Sequence, residues 1–593
     1  MRLPKGKRLV PTFVLSALLA AASTATATQE TPAQWAAEEA MDIGLGFLES
    51  SDLDRALAVF EELVMQAPEW SQAHFYHGIV LLRLRRLQDA LGPLEAAARL
   101  DPRSVEAWSQ LGVARRHSGD AAGAIKALDH ALRRVAADDR SRAASIWHER
   151  GVALTVMREP ELAVEAFATA VSMAPEERIY LQALGGARQR AGDIAGAKEA
   201  MWRAIQVAPE HPRAHRALGL LFYEQGSPGN ALPFFERAAE LAPEWGNAFY
   251  RVGLAHRALG QLAAAQVALE RALELNYDTA AVRYHLAAVL HQVGEIDDAV
   301  EHLEVAVGSD PDFGEAAVAL GQALLDRGDT GRAVEALERG TEALPERADA
   351  WVALGQALLQ LGESERAIAG FRRAIEAEPE HRGALFALGE ALRRNGDLEA
   401  AQPYLERHAE LNSAYLRRSE GRARAQVLLE QAKEALAQKR IAEAGAALQA
   451  AFGSDPTSLE VKVLLAALPI DEYDPEAAIS PLRQIAAEHP EDSLSRSHLA
   501  RALIGAGRSA EGVEPLREIL LLEPNNLFVR LMLGGLLVNL EKPREAVLVI
   551  EAGVAFTPDQ PQLYSFLAVA YDAAGDTQAA AIARRRFLAL VER

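Results

Sequence analysis

Two pairs of histidines have a spacing that could bind a metal ion or catalyse a reaction. His74 and His77 are three residues apart, and His211 and His215 are four residues apart with Pro212 between them. Histidines spaced by one helical turn can share a metal ion or transfer a proton between groups. The two pairs could therefore form a metal site or an acid–base centre, if other residues of the sequence complete it.

The rest of the sequence gives these histidines no catalytic context. The chain has no cysteine, and it lacks a Gly-rich phosphate loop, a Gly-x-Ser-x-Gly elbow and a His-Glu-x-x-His motif. Its carboxylates are numerous but scattered along the chain. Because an enzyme needs a nucleophile, a base or a metal held in one pocket, we expect a non-catalytic protein that binds no metal and no cofactor.

Prolines recur at a step of 34 residues, as in Pro311, Pro345 and Pro379. A fixed period of this length indicates a stacked array of repeats. We number each repeat so that this proline is position 32, and name a repeat by its first residue. Sixteen repeats then begin at Ala37, Ser71, Val105, Ala144, Arg178, Pro212, Gly246, Ala280, Gly314, Ala348, Arg382, Ala425, Leu459, Ser493, Leu527 and Pro561.

Small residues recur at two positions inside the repeat. Position 8 is Gly or Ala in every repeat, and position 20 is Ala in every repeat except one. Gly inside a helix costs about 1 kcal/mol relative to Ala, so its recurrence indicates two helices that cross without room for a side chain. A Gly followed by an acidic residue at positions 15 and 16, as in Gly362-Glu363, predicts the turn between these helices.

This pattern resembles the tetratricopeptide repeat. The residues of repeat 348 that match the family motif are Trp351, Leu354, Gly355, Leu358, Ala367, Phe371, Ala374 and Pro379. Repeat 212 matches with Leu218, Gly219, Phe222, Ala231, Phe235, Ala238 and Pro243. The resemblance covers residues 37–593 and implies an all-α fold, a right-handed superhelical solenoid of about sixteen helix-turn-helix units. In this family each repeat has two helices, A and B, and the A helices line a concave groove.

Two intervals between these prolines are not a multiple of 34 residues. One contains five extra residues near 136–144, and the other contains nine extra residues at 416–424. The second insertion is either a lengthened helix or loop, or a hinge. We therefore divide the repeats into an array over 37–415 with eleven units, the insertion at 416–424, and an array over 425–593 with five units.

The first 27 residues differ from the repeats. A basic start precedes an apolar run of fourteen residues, Leu9 to Ala22, and Ala25-Thr26-Ala27 then provides the small-x-small pattern that a signal peptidase cleaves. Because the run is short for a membrane span, 1–27 is predicted to be a secretory signal peptide, with a linker at 28–36. An anchor that stays uncleaved is the alternative. The expected destination is the bacterial periplasm, with an extracellular location as the second choice.

Export makes a direct prediction about the N-terminus. We expect Ala27 to be the last residue removed, so mass spectrometry of periplasmic protein should show a chain that begins at Thr28. We also expect the mature chain to have no stable membrane span, since no second apolar run of spanning length follows. An intact Met1 on membrane-bound protein would contradict both expectations.

Charge restricts the class of partner. The formal net charge is −21, and a field of this sign repels nucleic acid and anionic membrane surfaces. The first hypothesis is a protein–protein interaction scaffold of the cell envelope that binds a peptide or protein segment in the groove. The alternative is a glycan-handling or exopolysaccharide-export accessory module. Aromatic platforms along the groove would favour a glycan, and clusters of Arg and Asn would favour a peptide.

The resemblance implies that A-helix positions 2, 5, 9, 12 and 13 face the groove. These positions are mostly apolar near both ends of the array, but repeats 178, 212, 246 and 280 combine Arg, Tyr, Asn and Gln. Arg and Tyr are common interface anchors, so we predict that an extended, net-acidic segment lies across these four repeats. The alternative is that these side chains are only solvated. The candidate binding residues are Gln182, Arg190, Arg213, Arg216, Tyr223, Asn247, Tyr250, Arg257, Tyr284 and His291.

Overall fold

A computed structural model describes residues 32–557 and 559–591 of the chain. Within these ranges it has 31 α-helices and no strand, which confirms the all-α class. The described residues divide into two compact bodies, an N-terminal body that ends at Ala208 and a C-terminal body that begins at Pro209. The described helices of the N-terminal body are α1 Pro32–Glu49, α2 Leu53–Gln66, α3 Ser71–Arg83, α4 Leu87–Leu100, α5 Val105–His117, α6 Ala121–Leu132, α7 Arg140–Val156, α8 Pro160–Met173, α9 Arg178–Arg190 and α10 Ile194–Val207.

The C-terminal body continues the same alternation of A and B helices. Its described helices are α11 Pro212–Glu224, α12 Pro228–Leu241, α13 Gly246–Ala258, α14 Leu262–Glu274, α15 Ala280–Val293, α16 Ile296–Ser309, α17 Gly314–Arg327, α18 Thr330–Ala343, α19 Ala348–Gln360, α20 Ser364–Ala377, α21 Arg382–Arg394, α22 Leu398–Ala437, α23 Ile441–Ser454, α24 Leu459–Asp471, α25 Pro475–Glu488, α26 Ser493–Gly505, α27 Val513–Leu522, α28 Leu527–Asn539, α29 Pro543–Phe556, α30 Pro561–Ala574 and α31 Thr577–Val591.

The turns between helices A and B form where the sequence predicts them. Gly192 has a φ of +80° and Gly362 has a φ of +81°, the left-handed backbone that ends a helix and that Gly adopts without steric cost. After Gly192, Asp193 caps helix B: its carboxylate accepts from the backbone N–H of Gly196 at 2.9 Å. Such N-caps satisfy amide groups that have no partner inside the helix.

The small residue at position 8 lies against helix B of its own repeat. A Cβ added to Gly219 would lie 2.7 Å from the Phe235 ring, and one added to Gly253 would lie 2.6 Å from Cγ of Leu269. Phe235 and Leu269 both occupy position 24 of their repeats and are fully buried. The recurring glycine therefore allows the two helices to pack closely, as the sequence predicts.

The long insertion does not interrupt the helix in which it lies. Residues 416–424 belong to α22, a single helix of 40 residues that joins helix B of repeat 382 to helix A of repeat 425. About sixteen helix-turn-helix units imply about 32 helices, and the described part of the chain has 31, because α22 serves as helix B of one repeat and helix A of the next. The physical reason is that 416–424 contains no proline and no Gly followed by an acidic residue. A hinge at this place stays a prediction.

The N-terminal segment is only partly described. Helix α1 begins at Pro32, so the last five residues of the expected linker 28–36 are helical. The predicted signal peptide, 1–27, lies outside the described residues. Among the helices that the structure describes, none is both long enough and apolar enough to cross a membrane.

Candidate functional site

The histidines that could have formed a reactive centre connect successive repeats instead. His74 Nε2 lies 2.9 Å from the Pro68 carbonyl oxygen, and His215 Nε2 lies 2.7 Å from that of Pro209. Both histidines occupy position 4, and each contacts the position-32 proline of the preceding repeat. Indole N–H groups at position 4 make the same bond, from Trp108 to Pro102 at 3.1 Å and from Trp351 to Pro345 at 2.9 Å. Among the described residues, no three His, Cys, Asp or Glu side chains are grouped to hold a metal ion.

Helices α11 and α13 hold one predicted binding residue in place through a chain of side-chain contacts. Arg216 Nη1 donates to Asn247 Oδ1 at 3.3 Å, and Asn247 Nδ2 donates to the Tyr277 hydroxyl at 2.7 Å. The Arg216 guanidinium also lies 5.1 Å from the centroid of the Trp245 ring, within the range of a cation–π contact. The guanidinium is thus oriented before any ligand arrives, which reduces the entropy lost on binding.

Aromatic rings pack beneath this chain. Tyr250 is 8% exposed, and its ring centroid lies 5.9 Å from those of both Tyr277 and His285. The Tyr284 ring lies 4.9 Å from His285 and 5.2 Å from Phe313. These spacings are typical of packed aromatic pairs. Tyr250 and Tyr284 therefore pack against other rings and do not present open ring faces to solvent.

Four arginines of repeats 212 and 246 have no carboxylate partner among the residues that the structure describes. None of the four makes an ion pair with a carboxylate in the described part of the chain; this arginine cluster comprises Arg213, Arg216, Arg251 and Arg257. Other arginines of the same repeats are paired: Arg237 with Glu210 and Glu240, Arg271 with Glu274, and Arg283 with Asp278. The cluster is therefore a local concentration of positive charge in an acidic protein.

Burial and neighbouring arginine charges both shift the pKa values of Arg216 and His285. Burial first, and then the charges of Arg251 and Arg213, lower the pKa of Arg216. Burial first, and then Arg257 and Arg251, lower the pKa of His285 to about 4. No carboxylate is among the neighbours that shift either group. His285 is consequently neutral at pH 7, and the positive charge at this place comes from the arginines.

The low pKa of His285 predicts a loss of stability in acid. An unfolded histidine titrates near 6.5, so the folded array is favoured while His285 is neutral and loses that contribution as the pH falls from 6.5 towards 4. We expect His285→Phe, which keeps the ring packing, to reduce the stability loss between pH 7 and pH 4.5 by roughly 2 kcal/mol. Urea unfolding at the two pH values measures the difference between variant and parent. Equal losses would contradict this assignment.

The structure brings together most of the predicted binding residues, but not all. Seven of them lie on α11, α13 and α15 in the C-terminal body: Arg213, Arg216, Tyr223, Asn247, Tyr250, Arg257 and Tyr284. His291 is engaged elsewhere, since its Nε2 lies 2.7 Å from Asp326 Oδ2. Gln182 and Arg190 lie on α9, which belongs to the N-terminal body. Gln182 accepts a hydrogen bond from Arg178 at 2.6 Å.

The groove pattern missed two contributing residues. Arg251 occupies position 6, one residue away from a groove position, so the family pattern excludes it. Tyr277 stands at position 32 of repeat 246, where twelve of the sixteen repeats have proline. The missing proline was the sequence signal for Tyr277, because a tyrosine there can reach Asn247 and a proline cannot. Arg251 had no signal of its own.

Comparison with known proteins agrees with the repeat pattern. A family model described as "Tetratricopeptide repeat" matches more than half of the chain, at residues 41–104, 77–141, 182–244, 250–312, 318–377 and 353–415. No curated protein matches the chain significantly.

Several solved structures are similar over part of the chain. YrrB, a TPR protein with an unusual peptide-binding site, is 26% identical over 32% of this chain and 98% of its own, with a TM-score of 0.29. The C-terminal part of a TPR repeat-containing protein from Cytophaga hutchinsonii is 16% identical over 42% of this chain and 99% of its own, with a TM-score of 0.36. A tetratricopeptide repeat protein from Parabacteroides merdae is 19% identical over 42% and 98%, with a TM-score of 0.34.

Proposed function

We propose, because this chain belongs to the tetratricopeptide repeat family, that it is a non-catalytic scaffold that binds a protein or peptide segment in its groove. Proteins of this family generally mediate protein–protein interactions and are typically not enzymes. The observation that carries the proposal is the arginine cluster, whose four positive charges have no carboxylate partner among the described residues. The bound segment is extended and net-acidic, and it lies across α11, α13 and α15.

Charge complementarity gives this segment its specificity. Guanidinium groups bind carboxylates through two parallel hydrogen bonds, and an unpaired arginine can make them without first breaking an internal ion pair. The net charge of −21 repels an acidic partner from most of the surface. The cluster reverses this repulsion locally, which steers an acidic segment to one place and suppresses binding elsewhere.

The cell envelope is the proposed place of action, because residues 1–27 have the pattern of a secretory signal. Within that setting we favour a protein partner over the glycan-handling alternative. A sugar ring stacks on an open aromatic face, whereas Tyr250 and Tyr284 already pack against neighbouring rings.

Photocrosslinking in intact cells tests the groove directly. A photoreactive phenylalanine analogue replaces Ala258 or Gln292, which are exposed on A helices α13 and α15. Matched control positions are Val267 and Val305, which are 67% and 42% exposed on B helices α14 and α16. We expect one protein partner to be crosslinked from both A-helix positions and from neither control. Crosslinks confined to the B helices would place the binding surface on the opposite side.

A further inference from the structure

Two helices far apart in the sequence are joined by a hydrogen bond in the C-terminal body. Asn230 Nδ2 on α12 donates to the Leu522 carbonyl oxygen on α27 at 2.8 Å, across 292 residues of chain. Inter-repeat contacts such as Arg216–Asn247 and His291–Asp326 join residues only 31 and 35 apart. In a repeat array each unit ordinarily contacts only its neighbours. This bond instead connects repeat 212 to repeat 493.

The chemistry of the two ends suits the contact. Leu522 is the last residue of α27, and the last four carbonyl groups of a helix have no partner inside it. These carbonyls carry the partial negative charge of the helix dipole. An amide N–H group, such as that of the Asn230 side chain, can therefore donate to them. Asn230 occupies position 19, and no other repeat has asparagine there. The asparagine at position 19 therefore occurs only in repeat 212, the repeat that makes this contact.

We propose that α12 and α27 form an intramolecular latch that closes the array between repeats 212 and 493. The latch is a single neutral bond between half-buried residues, so it can open without disturbing the packing inside either repeat. A partner that favours one of the two states then shifts the balance between them. The evidence for the latch is the contact itself, whatever the groove binds.

The latch also restrains part of the arginine cluster. Helix α12 packs tightly against α11, since the Phe222 and Phe234 rings stack with centroids 5.6 Å apart. Helix α11 carries Arg213 and Arg216. Attachment of α12 to α27 therefore limits the movement of the helix that presents half of the cluster, and we expect closure and ligand binding to influence each other.

The absence of cysteine from the chain makes proximity easy to measure. A Gly229→Cys and Leu522→Cys pair keeps both the Asn230 side chain and the backbone carbonyl at 522, and it introduces the only two thiols. A short bismaleimide at low protein concentration should link them within one molecule. The control pairs Gly229→Cys with Glu488→Cys, which ends helix B one repeat earlier. Equal linking in both pairs, or none in the first, would overturn the latch.

The role of the hydrogen bond itself needs a third variant. Asn230→Ala added to the Gly229–Leu522 cysteine pair should reduce linking severalfold, and Asn230→Ala alone should increase the radius of gyration measured by X-ray scattering. Asn525→Ala, at an exposed turn residue near α27, should change neither quantity. If Asn230→Ala leaves both linking and radius unchanged, Asn230 does not hold the array closed.

Discussion

Arg213→Glu combined with Arg216→Glu is expected to abolish capture of the native partner from envelope extracts, with helical content and thermal melting unchanged. The two substitutions replace two positive charges by two negative ones beside Arg251 and Arg257, and they remove the bond from Arg216 to Asn247. Loss of charge pairs at an interface typically costs about 2–5 kcal/mol, which is roughly a 30-fold to several-thousand-fold loss of affinity. Affinity capture and circular dichroism measure the two outcomes.

A matched double reversal separates this effect from a general change in charge. Arg237→Glu with Arg271→Glu changes the net charge equally but alters exposed, ion-paired arginines on the B helices α12 and α14. We expect this control to capture the partner almost normally. Full capture by the Arg213 and Arg216 variant would move the site elsewhere. The mostly apolar groove positions near the start of the array, such as Phe75 at position 5 of repeat 71, would then be the first region to examine.

Gly219→Leu is expected to unfold the region around repeat 212 before the rest of the chain. Its Cβ would lie 2.7 Å from the Phe235 ring and 3.2 Å from Cβ of Phe234, and both phenylalanines are buried. Overpacking of this kind costs about 1–3 kcal/mol. Because the stability of a repeat array is close to a sum over repeats and their interfaces, the damage should remain local. Hydrogen exchange should therefore accelerate first in α11 and α12.

The same substitution at a glycine with free space provides the control. Gly92 is exposed within α4 and has no heavy atom within 4 Å of an added Cβ. Gly92→Leu should leave exchange unchanged or slow it slightly, because leucine has a higher helix propensity than glycine. Uniform acceleration along the whole chain in Gly219→Leu would contradict the local additivity of the array.

The features that the sequence predicted correctly all depend on neighbouring residues in the chain. Where a turn has the Gly and acidic pair, the pair acts through backbone conformation and capping within a few residues, as at Gly192 and Asp193. The position-8 glycine meets position 24 of the same repeat, as Gly219 meets Phe235. Such contacts recur with the period of the repeat, so the sequence alone determined the helix pairs and most of their boundaries. Helix α22 departs from the pattern because its insertion has no proline and no Gly followed by an acidic residue, so the helix continues.

The tertiary structure decided which polar residues act together. The sequence proposed Arg213, Arg216 and Asn247, but only the structure shows their bonds and the absence of a described carboxylate partner for Arg213 and Arg216. It also added Arg251 and Tyr277, and it showed that His291 is engaged with Asp326. The contact between Asn230 and Leu522 is the feature that the sequence predicts least. The distance between these two residues depends on the small rotation of each repeat relative to the next, added over all the intervening repeats. A sequence pattern within one repeat does not predict that sum.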